Sequence, residues 1–158
     1  MKHIYAPWRS DYILQKLPFK GCFFCKNAKS KKDKENFVLH RGKHAFVLLN
    51  LYPYNDGHLL IACYRHAASP EDLSRQEWNE VNDLTQKGIS VLKKKMKPNG
   101  FNVGMNVGKV SGAGVADHLH VHVVPRWLGD TNFMPVLAET KLMNQDLSII
   151  YEKLKSGF

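Results

Sequence analysis

Cysteine is scarce in this chain: three residues in 158, an odd number that argues against a disulfide framework and leaves the thiols to redox or metal chemistry. Long apolar runs are missing as well, and none approaches the roughly 18 residues that a membrane span needs. The opening MKHIYAPWRSDYI has no apolar core of the signal-peptide kind, so the expectation is a cytoplasmic protein without a membrane partner. Acidic residues number 14 against 23 basic ones, for a formal net charge of +9. Nucleotides, polyphosphates or nucleic acid are the partners such a balance suits, yet the runs KSKKDK and KKKMK serve equally well as a solvated face or a helix end. Internal repeats and an interdomain linker are absent too. The length suits one domain with a substantial core.

Within that domain the composition separates an N-terminal extension with a CxxC loop (about 1–35), a core (about 36–135) and a C-terminal helical segment (about 136–158). FVLH and HAFVLLN flank RGK and read as a hairpin; YPYNDG turns the chain into a third apolar run, HLLIACY. FNVGMNV and HLHVHVV supply two more strands. Between the two groups, Ser69 as N-cap and Pro70 at the first helical position mark the start of a helix. Leu73, Trp78, Val81, Leu84, Leu92 and Met96 recur near helical spacing, KPNG ends the run, and Gly88 is the point where a bend or break is expected. Leu147, Ile150, Tyr151 and Leu154 outline a short last helix. The expected fold class is α+β: an antiparallel sheet of about five strands, one main helix and a short C-terminal helix.

The stretch VADHLHVHVVPRWLGD carries the strongest functional signal. His118, His120 and His122 alternate with aliphatic residues, and on a strand alternate side chains share a face. Leu119, Val121 and Val123 can then enter a core while the other face presents three imidazoles. Burying such a row without partners would be costly, which points to metal ligation or phosphate chemistry.

Just upstream, GKVSGAG offers backbone N–H groups that Gly108, Gly112 and Gly114 leave unobstructed, with the Ser111 hydroxyl and the Lys109 charge beside them. A bound phosphate would be delivered to the imidazole row. An imidazole can attack phosphorus through one ring nitrogen while a hydrogen bond holds the other. His120, with a histidine on either side, is the natural nucleophile. Separately, Cys22 and Cys25 in CFFC have a spacing that lets two thiolates on a tight turn chelate one metal, though a redox pair or a chance pair remains open. Cys63, inside an apolar run, reads as a buried small hydrophobe.

HLHVHVV fits the alternating signature of the histidine triad superfamily of nucleotide hydrolases and transferases, and the chain resembles that family through the meander, the helix and the last two strands. APWRSDYI and ADHLHVHVVPRWLGDTNFMPV are similar to the diadenosine tetraphosphate phosphorylase-like branch. The resemblance implies that His120 is the covalent nucleophile and that His122 contacts phosphate. It places Asn50 at the ribose position, His58 as a supporting histidine and Asn106 near the phosphates. It also implies a structural zinc on Cys22, Cys25, His66 and His118, and a homodimer. One departure stands out: many triad hydrolases carry glutamine four residues before the first triad histidine, where this chain has Gly114.

The function so implied is cleavage of a dinucleoside polyphosphate through nucleotidyl-His120, with inorganic phosphate as acceptor. Lys109, Ser111, Gly112, Arg126 and Asn132 are candidates to hold nucleotide phosphates or the acceptor. Two alternatives stand beside it. One is hydrolysis of nucleoside phosphoramidates or dinucleoside polyphosphates by water. The other is a zinc-stabilised module that binds nucleotide, or less readily nucleic acid, without turnover.

Overall fold

β-branched and aliphatic side chains pack best on a pleated surface, and four runs rich in them, with a fifth, glycine-containing run at the edge, pair into one antiparallel sheet: β1 (Val38–Arg41), β2 (Ala45–Leu49), β3 (Leu59–Cys63), β4 (Gly100–Met105) and β5 (His120–Arg126). The spatial order is β1-β2-β3-β5-β4, so β5 lies inside the sheet and β4 forms an edge. These elements come from a computed structural model that describes residues 21–131 and 145–158. Among the described residues, three α-helices accompany the sheet: α1 (Phe23–Lys29), α2 (Arg75–Met96) and α3 (Leu147–Lys155). No helix among the described residues is long and apolar enough to cross a membrane.

Alternation along β5 divides its side chains between two cores. Val121 and Val123 join Leu59 and Ile61 beneath α2, which contributes Val81, Leu84, Val91 and Leu92, and beneath α3, which contributes Ile150, Tyr151 and Leu154. On the opposite face Phe24 of α1 packs with Val38, Phe46, Leu48, Leu60 and Ala62. The histidine face is therefore covered rather than simply presented to solvent: His118 and His120 are only 1% and 5% exposed. Pro125 sits within β5 beyond Val123, the last β5 residue paired with β3, so its missing N–H removes no bond from that ladder.

The main helix starts later than its apolar pattern suggests. Ser69 makes no side-chain capping bond, and Pro70–Asp72 form a separate 3-10 turn. The N-cap is Ser74, whose hydroxyl accepts from the Glu77 N–H while the Glu77 carboxylate accepts from the Ser74 N–H. This reciprocal capping box satisfies two otherwise unmatched donors, an advantage Ser69 lacks. Leu73 thus lies before the helix yet still packs against the core. Nor does the helix break at Gly88: α2 runs through it, and a Cβ there would come within 2.9 Å of Leu59 Cδ1. The glycine is there for close helix–sheet approach. Lys97, with φ 51°, supplies the left-handed C-cap.

Candidate functional site

The CxxC pair does not sit on an open turn. Cys22 is the N-cap of α1, its Sγ accepting from the Cys25 N–H, and the helix carries Phe24 inward. Cys22 Sγ lies 3.3 Å from His118 Nδ1, Cys25 Sγ 3.6 Å from the same atom, and Cys25 Sγ 3.3 Å from His66 Nδ1. All four ligand atoms fall within 4.8 Å of one another. Around a tetrahedral zinc, with bonds of about 2.0–2.3 Å, they would stand about 3.3–3.8 Å apart. The set fits that ion in number, chemistry and spacing.

The ring of His118 is oriented for ligation. Its Nε2–H donates to the Cys63 carbonyl at 3.0 Å, leaving the Nδ1 lone pair directed at the thiols. Such a hydrogen bond on the remote nitrogen fixes the tautomer of a ligating histidine. Burial, and then the neighbouring His66 and His120, pull its pKa down to about 4, so the imidazole is neutral near pH 7. Burial raises the Cys22 thiol, a bias that coordination to a cation would reverse. Cys63 stands apart, buried among aliphatic side chains with its thiol pushed up to about 11 by desolvation.

Two residues on, the geometry inverts. His120 Nδ1–H donates to the His118 carbonyl at 2.8 Å, which leaves the lone pair on Nε2. Burial lowers its pKa, and the carbonyl bond only partly opposes that shift. Phe24 lies against both rings, its centroid 4.6 Å from that of His120 and 5.1 Å from that of His118.

His122 belongs to a third arrangement. The Tyr54 N–H donates to His58 Nδ1 at 3.1 Å, so neutral His58 carries its proton on Nε2 and passes it towards His122 Nδ1 at 2.9 Å. His122 then bears its own proton on Nε2. Asn50 braces the start of this relay: its Nδ2 lies 3.2 Å from His58 Nδ1, while its Oδ1 accepts from the Tyr52 N–H. Tyr54 also stacks on His58, ring centroids 4.9 Å apart.

A groove of about 470 Å³ opens beside His122, and Asn106 and Arg126 line it. Arg126 donates two hydrogen bonds to Asp130, at 2.6 and 2.8 Å, and one to Asn102 Oδ1 at 2.7 Å. Asp130 is held well below the usual carboxylate range by that guanidinium. Lys109, Ser111 and Gly112 lie elsewhere, in an exposed loop outside the groove lining. There the Ser111 hydroxyl donates to the Gly108 carbonyl, and Gly108 and Gly112 take φ values of 79° and 87° that other residues rarely adopt. Asn132 falls outside the described residues.

Sequence spacing brings out the triad and the thiols, but it passes over Phe24 and Tyr54. Neither has a local signal: Phe24 is an aromatic residue between two cysteines, and Tyr54 one of several in a turn. Asp130 had a signal, standing four residues after Arg126, though in a turn rather than a helix.

Comparison with known proteins agrees with this geometry. Residues 31–127, well over half of the chain, match the HIT domain family. The chain is 49% identical over 113 residues to an AP-4-A phosphorylase of Mycobacterium tuberculosis, an alignment covering 72% of this chain and 58% of that protein. It is 31% identical over 106 residues to an adenosine 5'-monophosphoramidase of Saccharomyces cerevisiae, covering 67% and 63% of the two chains. Its fold superposes with a TM-score of 0.69 on the crystal structure of a Zn-bound histidine triad family protein from Mycobacterium smegmatis, at 20% identity, covering 87% of this chain and 92% of that one. A matched domain that spans all five strands from end to end, triad included, has one reading: the chain belongs to the HIT domain family.

Proposed function

We propose that this chain is a nucleotide-processing enzyme that cleaves dinucleoside polyphosphates of the diadenosine tetraphosphate class through a nucleotidyl-His120 intermediate, with inorganic phosphate as acceptor. The observation that carries this reading is the state of His120: a buried imidazole, held through Nδ1 by the His118 carbonyl, with its lone pair on Nε2. A neutral, fixed imidazole is what in-line attack on phosphorus requires. The identity to a relative named AP-4-A phosphorylase supports the substrate class, although this chain aligns with only 58% of that protein.

In the first step His120 Nε2 attacks the phosphorus of the bound nucleotidyl group, and the bond to the departing nucleotide breaks. The Nε2–H of His122, set by the Tyr54–His58 relay, donates to an oxygen of the transferred group as charge accumulates. Asn106 assists from the groove wall. In the second step a phosphate oxygen attacks the same phosphorus, the P–N bond breaks, and His120 returns to its neutral form with the lone pair restored. Asn50, which also braces His58, is assigned to the ribose, and Lys109, Ser111 and Gly112, in the exposed loop that precedes β5, are assigned to the phosphates.

Cys22, Cys25, His66 and His118 would hold one zinc ion. Four protein ligands complete a tetrahedron and leave no position for substrate, so the ion's contribution is structural. When bound, it would tie α1, and with it Phe24, to the start of the triad strand.

The acceptor is tested by product analysis with diadenosine tetraphosphate. Phosphorolysis yields ADP plus ATP and accelerates with added phosphate; AMP plus ATP in saturating phosphate would defeat the phosphate acceptor while retaining nucleotidyl-His120. A second reading, transfer to water from a nucleoside phosphoramidate, draws on the likeness to the yeast monophosphoramidase. It calls for AMP as product and no phosphate dependence.

A further inference from the structure

The ring that packs on the nucleophile is carried by a helix too short to hold itself. His120 is pinned through one bond, from Nδ1 to the His118 carbonyl, and a single hydrogen bond fixes the tautomer while leaving the ring plane free to rock about it. Two neighbouring rings limit that motion: Phe24, with centroids 4.6 Å apart and planes at 35°, and His122, at 4.8 Å and 56°. Phe24 is 1% exposed, so it shifts only if α1 shifts.

With seven residues, α1 falls well short of the roughly 12–15 at which an isolated helix is even marginally stable in water. Its position is therefore imposed at its ends. Cys22 and Cys25 face His66 and His118 at the N-terminal end, and an attachment there alone would let the helix pivot. The other end is held by Arg41, the last residue of β1. The Ser30 N–H takes the Lys26 carbonyl, and the Arg41 guanidinium donates to the carbonyls of Asn27 at 2.9 Å, Ala28 at 3.2 Å and Ser30 at 2.7 Å. Carbonyls of a last helical turn lack intrahelical partners, and a cation there complements the dipole. Asp33 accepts the Arg41 Nε–H at 2.9 Å and orients the fork. The guanidinium also lies 5.9 Å from the Phe46 ring, in the apolar cluster that contains Phe24. A lysine ammonium has too few donors, and none in a plane, to reproduce this set.

We propose that Arg41 is a positioning residue for the nucleophile: by clamping the C-terminal end of α1 it seats the Phe24 ring, and Phe24 sets the direction in which His120 Nε2 points. This inference rests on the role proposed above for His120. It adds control from the far side of the sheet order, by a side chain whose hydrogen bonds go to α1, Ser30 and Asp33. A misplacement of about 1 Å at a reacting group, caused far from the chemistry, can cost about 100-fold in rate.

The test compares Arg41→Met, Phe24→Leu and the double variant with the native chain, each purified with its metal. Glu77→Gln, which loses a helix cap remote from the triad, is the control for stability alone. On diadenosine tetraphosphate, Arg41→Met and Phe24→Leu should each lower kcat at least about tenfold with KM within about threefold of native. The double variant should fall no more than about threefold below the slower single one, since both changes break the same connection. In NMR spectra the His120 ring signals, identified by their loss in His120→Asn, should move in Arg41→Met in the direction they move in Phe24→Leu, because both withdraw an aromatic ring from the imidazole. Glu77→Gln should leave those signals and kcat unchanged. Arg41→Lys serves if Arg41→Met folds poorly, and should lose at least about threefold in kcat. A folded Arg41 variant with kcat within about twofold of native, losses that multiply in the double variant, or unmoved His120 signals overturns the inference and leaves the nucleophile standing. Near-native turnover in His120→Asn, or a folded native chain that does not cleave the dinucleotide, overturns the proposed function, and the inference with it.

Discussion

His118 and His120 stand two residues apart, one just ahead of β5 and the other at its first position, share the Phe24 ring and are both buried, yet they present opposite nitrogens. His118 donates from Nε2 to a carbonyl of the neighbouring strand and aims Nδ1 at two thiols. His120 donates from Nδ1 to the carbonyl of His118 and keeps its lone pair on Nε2. One side-chain type, placed twice with the same periodicity, becomes a candidate metal ligand at one position and a candidate nucleophile at the other. A single carbonyl decides the tautomer in each case. What differs is where the backbone acceptor lies, and that is a property of the packed sheet.

Breaking the nucleophile should give the largest effect. His120→Asn is expected to lower kcat by about 10⁴-fold or more while leaving nucleotide binding largely intact, as steady-state kinetics and equilibrium titration on folded protein would reveal. Near-native turnover would reassign the nucleophile. The metal end of the row should respond in a different currency. Cys25→Ser is expected to abolish binding of about one zinc per chain, measured by elemental analysis, and to lower Tm by about 10 °C or more. Its kcat should fall far less than that of His120→Asn. Equal damage to both quantities in both variants would erase the division of labour between the two histidines.

Acid sharpens the contrast. Burial lowers the pKa of His120, so its lone pair persists to lower pH than that of a solvated imidazole. The acid limb of kcat/KM should therefore fall below pH 6.5, the ordinary histidine value. A limb at or above it would mean that solvent reaches the ring. The smallest effect is expected far from the triad, at the α2 cap. Arg65 holds Glu77 down to about 2, below its unfolded value of 4.5. The contribution is thus complete above pH 4.5 and is lost as pH falls from there towards 2. Arg65 is half exposed, which limits the pair to about 1 kcal/mol. Glu77→Gln should cost about that much at pH 7 in urea unfolding and flatten the acid dependence, with kcat unchanged.

Legibility follows the range of the interaction. The triad, the five strand segments, the main helix and the C-terminal helix are written in alternation and periodicity, which act within a few residues, whereas α1, only seven residues long, lies where a loop was expected. The start of α2 was misplaced because Ser69-Pro70 and Ser74 both carry local start signals, and only the reciprocal bond with Glu77 separates them. Gly88 reads locally as a helix breaker, and its reason is a leucine on β3.

By itself, then, the sequence determined that His120 and His122 share one strand face, that two thiols stand at C-x2-C spacing, and that an aliphatic alternation drives β5 into a core; His118, expected on the same strand, falls just before it. Tertiary structure decided the rest. It brought His66 and His118 to the thiols across 41 and 93 positions from Cys25, placed His58 against His122 across 64, chose a tautomer for each ring and opened a groove along the β4 edge. These depend on which backbone carbonyl or side chain arrives from a distant strand. Local periodicity fixes the face a residue occupies, whereas its partner is set only when the sheet closes and burial forces every polar group to find one.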